Sequence, residues 1–334
     1  MYSIGAVPLA EVAPEDWDAL RRRAGVTDVY YSSGFVEASA PLAGGEPVFL
    51  EGDGALFPVL LRRDPVDAVT PYGYGGPVSP DRPMPAMIGG SRLGGGFADA
   101  YGAWCRERGV ISTFAVFHPL LPVETGGFRV TALGGTVAWP LAGDLEAGMH
   151  AHHRRLVRRA RGAGLVATAT PSPPELGRFV AVYEETMRRA GADPFYFFPA
   201  PYWEALARDV PLVRVDVVGP EGLAASVLGM GEPPLLHYHL GGSTEAGRRA
   251  GASQLALLGL ALWGREHGFE TLHLGGGVGG RADSLLEFKR RFAPDGLVPS
   301  AIGKAVHDEA AYLRAAGAAE IAWDAFFPAY RAPR

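Results

Sequence analysis

The chain is poor in features that would place it in a membrane or in an oxidising compartment. Its 334 residues include one cysteine, Cys105, which excludes an internal disulfide and fits a reducing compartment. No apolar run reaches the roughly 18–20 residues that a membrane-spanning helix needs. The first residues also lack the charged and apolar regions of a secretory signal. We therefore expect a cytoplasmic protein with no membrane span.

Lysine is nearly absent, because only Lys289 and Lys304 occur among the 31 basic residues. A lysine ammonium differs from a guanidinium in hydration, geometry and the ease with which its pKa shifts, so a retained lysine is a candidate for chemistry. The net charge of −5 argues against a broad coat of nucleic acid and leaves room for a local basic patch. The sequence also lacks a phosphate-binding P-loop, a Cys-x-x-Cys pair and the local signatures of a Ser-His-Asp triad.

The same short pattern occurs in each half of the chain. Residues 104–109 and residues 263–268 both read Trp-x-Arg-Glu-x-Gly, and an apolar run follows each. A charged last turn, a glycine and an apolar run together predict a helix followed by a strand. The repeat indicates two similar α/β domains, which we place at residues 1–142 and 143–334. A cleft between such domains is the default ligand site.

Local signals support this α/β pattern elsewhere. Gly52-Asp53-Gly54 lies between two apolar runs and predicts a hairpin. Residues 144–160 have an acidic start and a basic end, as one helix would. Residues 235–240 predict a strand, and residues 251–266 predict a long helix.

The turn before that long helix resembles the acyl-CoA-binding turn of the GNAT acetyltransferase superfamily. Arg248, Gly251 and Ser253 occupy its Arg/Gln-x-x-Gly-x-Gly/Ala positions, with serine at the last place. In that superfamily, backbone N–H groups at the start of the helix bind a pyrophosphate. A glycine and a serine at this point are equally typical of an ordinary helix cap.

A longer stretch is similar to the Fem-type (FemA/FemB/FemX-like) aminoacyltransferases. Its most specific element is the pair Phe288-Lys289, which follows the glycine-rich run Leu272–Gly280. The resemblance extends from about Trp17 to Phe292 and includes Tyr72-Gly-Tyr-Gly-Gly-Pro77. It implies a mixed α/β fold of two tandem GNAT-like acyltransferase domains with a cleft between them. It also implies transfer of an amino acid from aminoacyl-tRNA to an amine, usually on a peptidoglycan precursor.

The resemblance assigns roles to particular residues. Lys289, with Phe288 beside it, would stabilise the oxyanion that forms when the amine attacks the ester. The first domain would bind the acceptor, and the second would bind the donor. The residues that we assign to substrate binding are Tyr72, Tyr74, Gly75, Tyr238, Gly275 and Gly276.

Residues 150–161 hold five arginines and three histidines without an acidic residue. On a helix, Arg154 and Arg158 share one face, while Arg155 lies on another. We predict that these three arginines and Arg248 contact phosphates of the donor tRNA or of a coenzyme. The alternative is a solvated basic face without a ligand.

Histidines and acids offer further candidates for the chemistry. His239 or Asp283 could serve as the general base that deprotonates the amine. His237, His239 and His273 could instead form a zinc site on adjacent strands, although no acidic or thiolate ligand accompanies them. We expect no metal and no cofactor apart from the donor substrate.

The chain departs from the family in residues 30–38, which contain no lysine where Fem-type enzymes often carry one that contacts the phosphates of a nucleotide-linked precursor. A peptide or nucleoside natural product is therefore an alternative acceptor. An acyl-CoA-dependent N-acyltransferase on the same fold is the alternative function. A non-catalytic binding protein is a third, which the presence of Lys289 disfavours.

Overall fold

The computed structural model describes residues 9–80 and 96–332. The chain divides into two compact units. The first unit comprises Met1–Leu133 with Pro299–Arg334, and the second comprises Gly134–Val298. None of the described helices is long and apolar enough to cross a membrane.

Within the described residues, the first unit contains one mixed sheet of seven strands and four α-helices, numbered here in chain order through the whole protein. The strands are β1 (Ala10–Val12), β2 (Gly45–Gly52), β3 (Ala55–Arg62), β4 (Asp67–Val69), β5 (Ser112–Val116), β6 (Arg129–Ala132) and β14 (Ala301–Val306). The helices are α1 (Pro14–Arg23), α2 (Ser33–Ala43), α3 (Gly96–Glu107) and α11 (Glu309–Ala316). The sheet order is β1-β2-β3-β4-β5-β14-β6.

The second unit contains another mixed sheet of seven strands, and seven α-helices. The strands are β7 (Thr136–Pro140), β8 (Val166–Pro171), β9 (Leu212–Gly219), β10 (Gly222–Glu232), β11 (Leu235–Ser243), β12 (Thr271–Gly276) and β13 (Leu297–Val298). The helices are α4 (Leu145–Gly148), α5 (Ala151–Gly162), α6 (Gly177–Ala190), α7 (Ala200–Asp209), α8 (Glu245–Ala250), α9 (Ala252–Glu266) and α10 (Ser284–Arg290). The sheet order is β13-β7-β12-β11-β10-β9-β8.

Both units contain the helix, glycine and strand that the repeated pattern predicts. Helix α3 leads through Gly109 to β5, and α9 leads through Gly268 to β12. The two glycines have φ angles of 66° and 82°, a conformation that costs glycine little. In each unit the strand after the glycine forms a parallel pair, β5 with β4 and β12 with β11. The repeated pattern therefore marks equivalent parts of the two sheets.

The boundaries of the compact units differ from the sequence boundary between residues 142 and 143. Strand β7 pairs with β12 and β13, so it belongs to the second unit although it precedes that boundary. Strand β14 pairs with β5 and β6, so residues 299–334 belong to the first unit. Strand pairing between distant segments sets both boundaries. Such pairing cannot be predicted from local composition.

The single helix predicted for residues 144–160 is two helices in the structure. Helix α4 ends at Gly148, and Met149 has extended backbone angles of −69° and 154°. Helix α5 starts after His150, whose side chain accepts a hydrogen bond from the backbone N–H of His152. Two successive caps therefore interrupt what the charge pattern suggested was continuous.

The core of the second unit lies between its sheet and the helices α5 and α9. Nine of the fifteen residues of α9 are buried, which explains why this alanine- and leucine-rich segment is helical without a side-chain cap. Trp139, Phe292 and Leu286 extend the same cluster to α10. Helix α10 is thus packed on the core although it has only seven residues.

Candidate functional site

The predicted glycine-rich segment is a tight loop between β12 and α10. A β-carbon on Gly277 would lie 2.1 Å from the carbonyl oxygen of Arg281, and Gly275 has a φ angle of 74°. The backbone N–H of Gly134 also donates to the carbonyl oxygen of Gly280 at 2.8 Å. Glycine is needed here because the chain folds back closely on itself.

Asp283 holds this loop to the start of α10. Its Oδ1 accepts hydrogen bonds from the N–H groups of Leu285 and Leu286 at 3.0 and 2.9 Å, and its Oδ2 accepts one from Val278 at 2.9 Å. Burial acts to raise the pKa of Asp283, but these backbone hydrogen bonds outweigh it and hold the pKa below its ordinary value. Both oxygens of the predicted general base are therefore engaged, Oδ1 in capping α10 and Oδ2 in holding the loop.

Lys289 is buried in α10, with 8% of its surface exposed. Its Nζ donates a 2.7 Å hydrogen bond to the carbonyl oxygen of Gly276 and lies 5.8 Å from the centre of the Tyr238 ring. Burial lowers the pKa of Lys289 to about 8, against the opposing charge of Asp283. An ammonium has three N–H donors, and the described residues accept one of them. Two donors remain for a bound oxygen atom.

The Phe288 ring packs against His153 of helix α5 and against Phe292. The ring lies 5.2 Å from that of His153 and 5.3 Å from that of Phe292, measured between centres. The carbonyl oxygen of Phe288 lies 3.0 Å from Nε2 of His153. These contacts anchor α10, and a role of Phe288 in the reaction stays a prediction.

Two polar residues near Lys289 were not predicted from the sequence as part of the site. His153 lies among residues that we interpreted only as a basic face. Thr136 lies opposite Gly276 in the pairing of β7 with β12, and its buried hydroxyl has no hydrogen-bond partner among the described residues. Neither residue belongs to a recognisable motif, so only the strand register and the helix packing reveal them.

The three histidines of β11 and β12 form two separate contacts. Nδ1 of His237 lies 3.1 Å from Nδ1 of His273, and Nε2 of His239 lies 2.8 Å from the hydroxyl of Tyr202. His239 is the extra residue of a β-bulge, because Leu228 faces Leu240 while the next residue of β10 already faces Tyr238. Burial, with a smaller contribution from His237, lowers the pKa of His239 to about 3. His239 is therefore uncharged at neutral pH, and its ring already has a hydrogen-bonding partner in Tyr202.

The turn that resembles a coenzyme site is closely packed. Gly251 has a φ angle of 90°, and a β-carbon there would lie 2.5 Å from the carbonyl oxygen of Leu156 in α5. Arg248 is exposed, and its guanidinium bonds Glu245 through Nε at 3.2 Å and Nη2 at 2.9 Å. Ser253 is half-buried in the first turn of α9. Helix α5 thus covers the glycine of the predicted phosphate turn.

The arginines predicted to meet the donor differ in their contacts. Arg154 donates to the carbonyl oxygens of Ala147 and Met149. Arg155 lies 3.2 Å from Nδ1 of His152. Arg158 is exposed, and the described residues provide it with no hydrogen bond or ion pair. Arg158 therefore remains the most available of the three for a phosphate.

The tyrosine loop of the first unit is fixed by its glycines. The N–H of Gly75 donates to Val116, and the carbonyl oxygen of Gly75 accepts from the N–H of His118, both at 2.8 Å. The Tyr74 ring lies 5.4 Å from that of Tyr30 and 5.9 Å from that of His118. Tyr72 is half-buried. Tyr74 thus packs in an aromatic cluster of the first unit.

A buried acid, Asp28, adjoins this cluster, and no motif in the sequence predicted it. Oδ2 of Asp28 lies 3.3 Å from Nε2 of His118. The backbone N–H of Leu120 donates to Nδ1 of the same ring at 3.1 Å, so Nδ1 is unprotonated and Nε2 carries the hydrogen. Asp28 and His118 therefore form a polar pair beneath Tyr74.

Comparisons with known proteins agree with the two-unit architecture. Residues 148–290 match the acetyltransferase (GNAT) domain family. FemX has a TM-score of 0.63 with this chain at 12% identity, and the match covers 92% of this chain and 99% of that one. L-PGS from Bacillus licheniformis has a TM-score of 0.53 at 15% identity, with 87% of this chain and 91% of that one covered.

A tandem GNAT protein from the clavulanic acid biosynthesis pathway has a TM-score of 0.53 at 12% identity. That match covers 90% of this chain and 98% of the other. No curated protein matches the sequence. The TM-scores and coverage of these matches establish the fold and confirm the predicted fold class, and the matched domain supports an acyltransferase. Residues 148–290 therefore match a GNAT domain, and the chain as a whole has the fold seen in FemX and in the tandem GNAT protein.

Proposed function

We propose that this protein is an aminoacyltransferase that moves an amino acid from aminoacyl-tRNA to an amine. The amine nitrogen attacks the ester carbonyl carbon, and the carbonyl oxygen becomes an oxyanion. Collapse of this intermediate forms the amide bond and releases the ribose hydroxyl of the tRNA, which takes up the proton that the amine loses. An ester is more reactive than the amide product, so the enzyme needs chiefly to place the reactants and stabilise the oxyanion.

The observation that carries this proposal is the buried ammonium of Lys289. Its bond to the Gly276 carbonyl fixes Nζ, and two N–H donors remain for the oxyanion. A fixed donor in a site shielded from water stabilises developing charge more than a solvated one does. A pKa of about 8 leaves roughly ten protonated lysines to each neutral one at pH 7. The lysine is thus charged under the conditions of transfer.

The packing of the turn at Gly251 favours tRNA over a coenzyme as the donor. Helix α5 covers Gly251, and Glu245 already pairs with Arg248, which a pyrophosphate would otherwise engage. The exposed Arg158 on α5 is instead available to phosphates of a tRNA acceptor end. Since aminoacyl-tRNA is a cytoplasmic substrate, we propose that the protein acts in the cytoplasm.

An acyl-CoA-dependent N-acyltransferase is the alternative, and one observation favours it. Helix α9 has Gly251 as its N-cap and no side-chain cap, so its first backbone N–H groups resemble a phosphate-binding helix start. Coenzyme binding would then require α5 to move away from Gly251.

The acceptor is an amine on a peptidoglycan precursor or on a peptide or nucleoside natural product. We propose that it binds beside Tyr72, Tyr74 and Gly75. The lack of lysine in residues 30–38 makes a nucleotide-linked precursor the less favoured choice. Tyr238, Gly275 and Gly276 would line the site of the transferred aminoacyl group near Lys289.

The test offers the purified protein two labelled donors, mixed aminoacyl-tRNAs and acetyl-CoA, with a panel of amine acceptors. RNase is added to a parallel sample, and Lys289→Met serves as the control for the site. We expect RNase-sensitive transfer that Lys289→Met largely loses. Transfer from acetyl-CoA that RNase does not affect would overturn the tRNA proposal in favour of the coenzyme.

A further inference from the structure

His153 lies on α5 and contacts the helix that carries Lys289. Its ring is 1% exposed, and its Nε2 lies 3.0 Å from the carbonyl oxygen of Phe288, the residue before Lys289. The ring also packs against Phe292, with 4.5 Å between ring centres and an angle of 63°. His153 thus joins α5 to α10 through the hydrogen bond and ring contact with Phe288, and to the residue Phe292 just beyond α10 through a second ring contact.

The chemistry of this contact fixes the state of the ring. A carbonyl oxygen only accepts hydrogen bonds, so Nε2 of His153 must carry the hydrogen. Burial lowers the pKa of His153 to about 4, although its bond to Phe288 opposes the shift. The ring is therefore neutral at pH 7, and the buried Nδ1 has no partner among the described residues. A buried histidine with one unsatisfied nitrogen stabilises the fold little through packing alone.

The hydrogen bond from His153 gives a partner to a carbonyl oxygen of α10 that has none within the helix. The last carbonyl oxygens of a helix lack partners within it, and α10 has only seven residues. His153 bonds the carbonyl of Phe288, while the backbone N–H of His150 bonds that of Arg291 at 2.9 Å. Asp283 caps the other end of the helix. Helix α10 is therefore fixed at both ends, and α5 with its N-cap residue His150 supplies both contacts at its C-terminal end.

We propose that His153 is a positioning residue for Lys289. By holding the Phe288 carbonyl, it keeps the Lys289 ammonium on the Gly276 carbonyl and over the Tyr238 ring. Because α5 also carries Arg158, the helix that we assign to the donor and the helix that carries the lysine are joined directly. The proposal that His153 positions Lys289 does not depend on which reaction the protein catalyses. Only the predicted effect of His153 on the transfer rate rests on the proposed function.

The test uses the fact that the chain has two lysines, so that both can be followed by mass spectrometry. Acetic anhydride labels neutral amines, and labelling across a pH series gives the titration midpoint of each lysine. Groups that face Lys289 are Asp283 on its own helix and Tyr238 on β11, and neither changes in the variants. His153→Phe keeps an aromatic ring without the donor, while His153→Gln keeps an N–H at the reach of Nε2.

We expect His153→Phe to raise the midpoint of Lys289 by one pH unit or more from about 8, because a loosened α10 admits water to the ammonium. His153→Gln should restore the original midpoint, and the midpoint of Lys304 should be unchanged in both. An unchanged Lys289 midpoint in His153→Phe would overturn the proposal. Equal changes at both lysines would also overturn it, since they would indicate a general loss of folding.

A kinetic measurement then separates positioning from binding. With the donor and acceptor identified, His153→Phe should lower kcat by about tenfold or more and leave KM unchanged. A change confined to KM would assign His153 to substrate binding instead. The labelling experiment needs no substrate, so its outcome does not depend on whether the protein uses aminoacyl-tRNA.

Discussion

The two lysines of this chain have similar burial but different surroundings. Lys289 and Lys304 are 8% and 5% exposed, and each ammonium lies 5.8 Å from the centre of an aromatic ring. Lys289 follows a glycine loop in the second unit and donates to one carbonyl, that of Gly276. Lys304 lies within β14 of the first unit and donates to the carbonyls of Trp323 and Ala325.

This difference distinguishes a lysine whose hydrogen bonds connect two segments of the chain from one that keeps donors for a ligand. Lys304 joins β14 to a later segment of the chain, and two of its three donors are occupied by that segment. Lys289 occupies one donor, sits on a short helix fixed at both ends and has a pKa lowered to about 8 by burial. Burial alone therefore does not distinguish the two lysines, whereas their engaged donors do, and on this ground we propose Lys289 and not Lys304 for the transfer chemistry.

The largest expected effect concerns the charge of Lys289 in the unmodified protein. A midpoint of about 8, against 10.5 for an ordinary lysine, makes its neutral form about 300-fold more abundant near pH 7. Labelling with acetic anhydride across the pH series should show this early midpoint in the peptide that contains Lys289. A midpoint near 10.5 would remove the distinction that we draw between the lysines.

The second prediction compares the stability of two matched variants. Because the folded pKa of Lys289 lies below its unfolded value, burying the charge costs roughly 3 kcal/mol below pH 8, and this cost disappears as the pH rises to 10.5. Lys289→Met should therefore be at least as stable as the wild type at pH 7. Lys304→Met should lose about 1–3 kcal/mol, because it leaves two carbonyls without their donor. Urea unfolding measures both changes, and equal losses would contradict the prediction.

The third prediction concerns Asp283 and uses Asp308 as its counterpart. Asp308 caps α11 in the first unit through a 2.9 Å bond from the N–H of Ala311. Asp283→Ala and Asp308→Ala should each lower stability by about 1 kcal/mol, as lost helix caps do. Asp283→Asn keeps an oxygen that can cap α10 and removes the charge, so it should lower the midpoint of Lys289, whereas Asp308→Asn should not.

Asp283→Asn separates capping from base catalysis at the same position. The amide oxygen still accepts hydrogen bonds from α10, so a capping role predicts transfer within about tenfold of the wild type. A loss as large as that of Lys289→Met would show that the carboxylate takes part in the reaction. Initial rates of transfer at saturating substrate make this comparison.

The smallest effect is expected at the exposed arginines. Arg158→Gln should raise KM for the tRNA donor a few-fold and reduce the slope of log KM against log salt concentration by about 0.7–0.9, as one lost phosphate contact would. Arg23→Gln removes the same charge from an exposed position of the first unit and should change neither quantity. If the two variants behave alike, the effect is one of net charge, and Arg158 has no specific contact.

Local signals predicted the elements that depend on local chemistry. The hairpin at Gly52–Gly54 is present, with positive φ angles of 49° and 73° at Asp53 and Gly54. The helix predicted for residues 251–266 is α9, and the strand predicted at 235–240 is the first part of β11. Periodicity, turn residues and caps depend on residues that are close together in the sequence, so a single sequence is enough to predict them.

The features that the sequence did not predict depend on distant contacts. The return of β14 to the first sheet requires its pairing with β5, and no local pattern encodes that pairing. The partner of Lys289 is a backbone carbonyl, so it has no side-chain signature. His153 and Thr136 likewise gain their significance only from the packing of α5 and the register of β7. The Phe-Lys pair pointed to the candidate site, but the geometry of that site could not be predicted from the sequence.

The transfer rates of Lys289→Met and Lys304→Met at pH 7, per folded molecule and with the donor that supports activity, test the central claim most directly. We predict that Lys289→Met loses about 10²–10³-fold in rate, the typical effect of removing an oxyanion partner, and that Lys304→Met keeps the wild-type rate. Full activity in Lys289→Met, or an equal loss in both variants, would contradict the assignment of the transfer chemistry to Lys289.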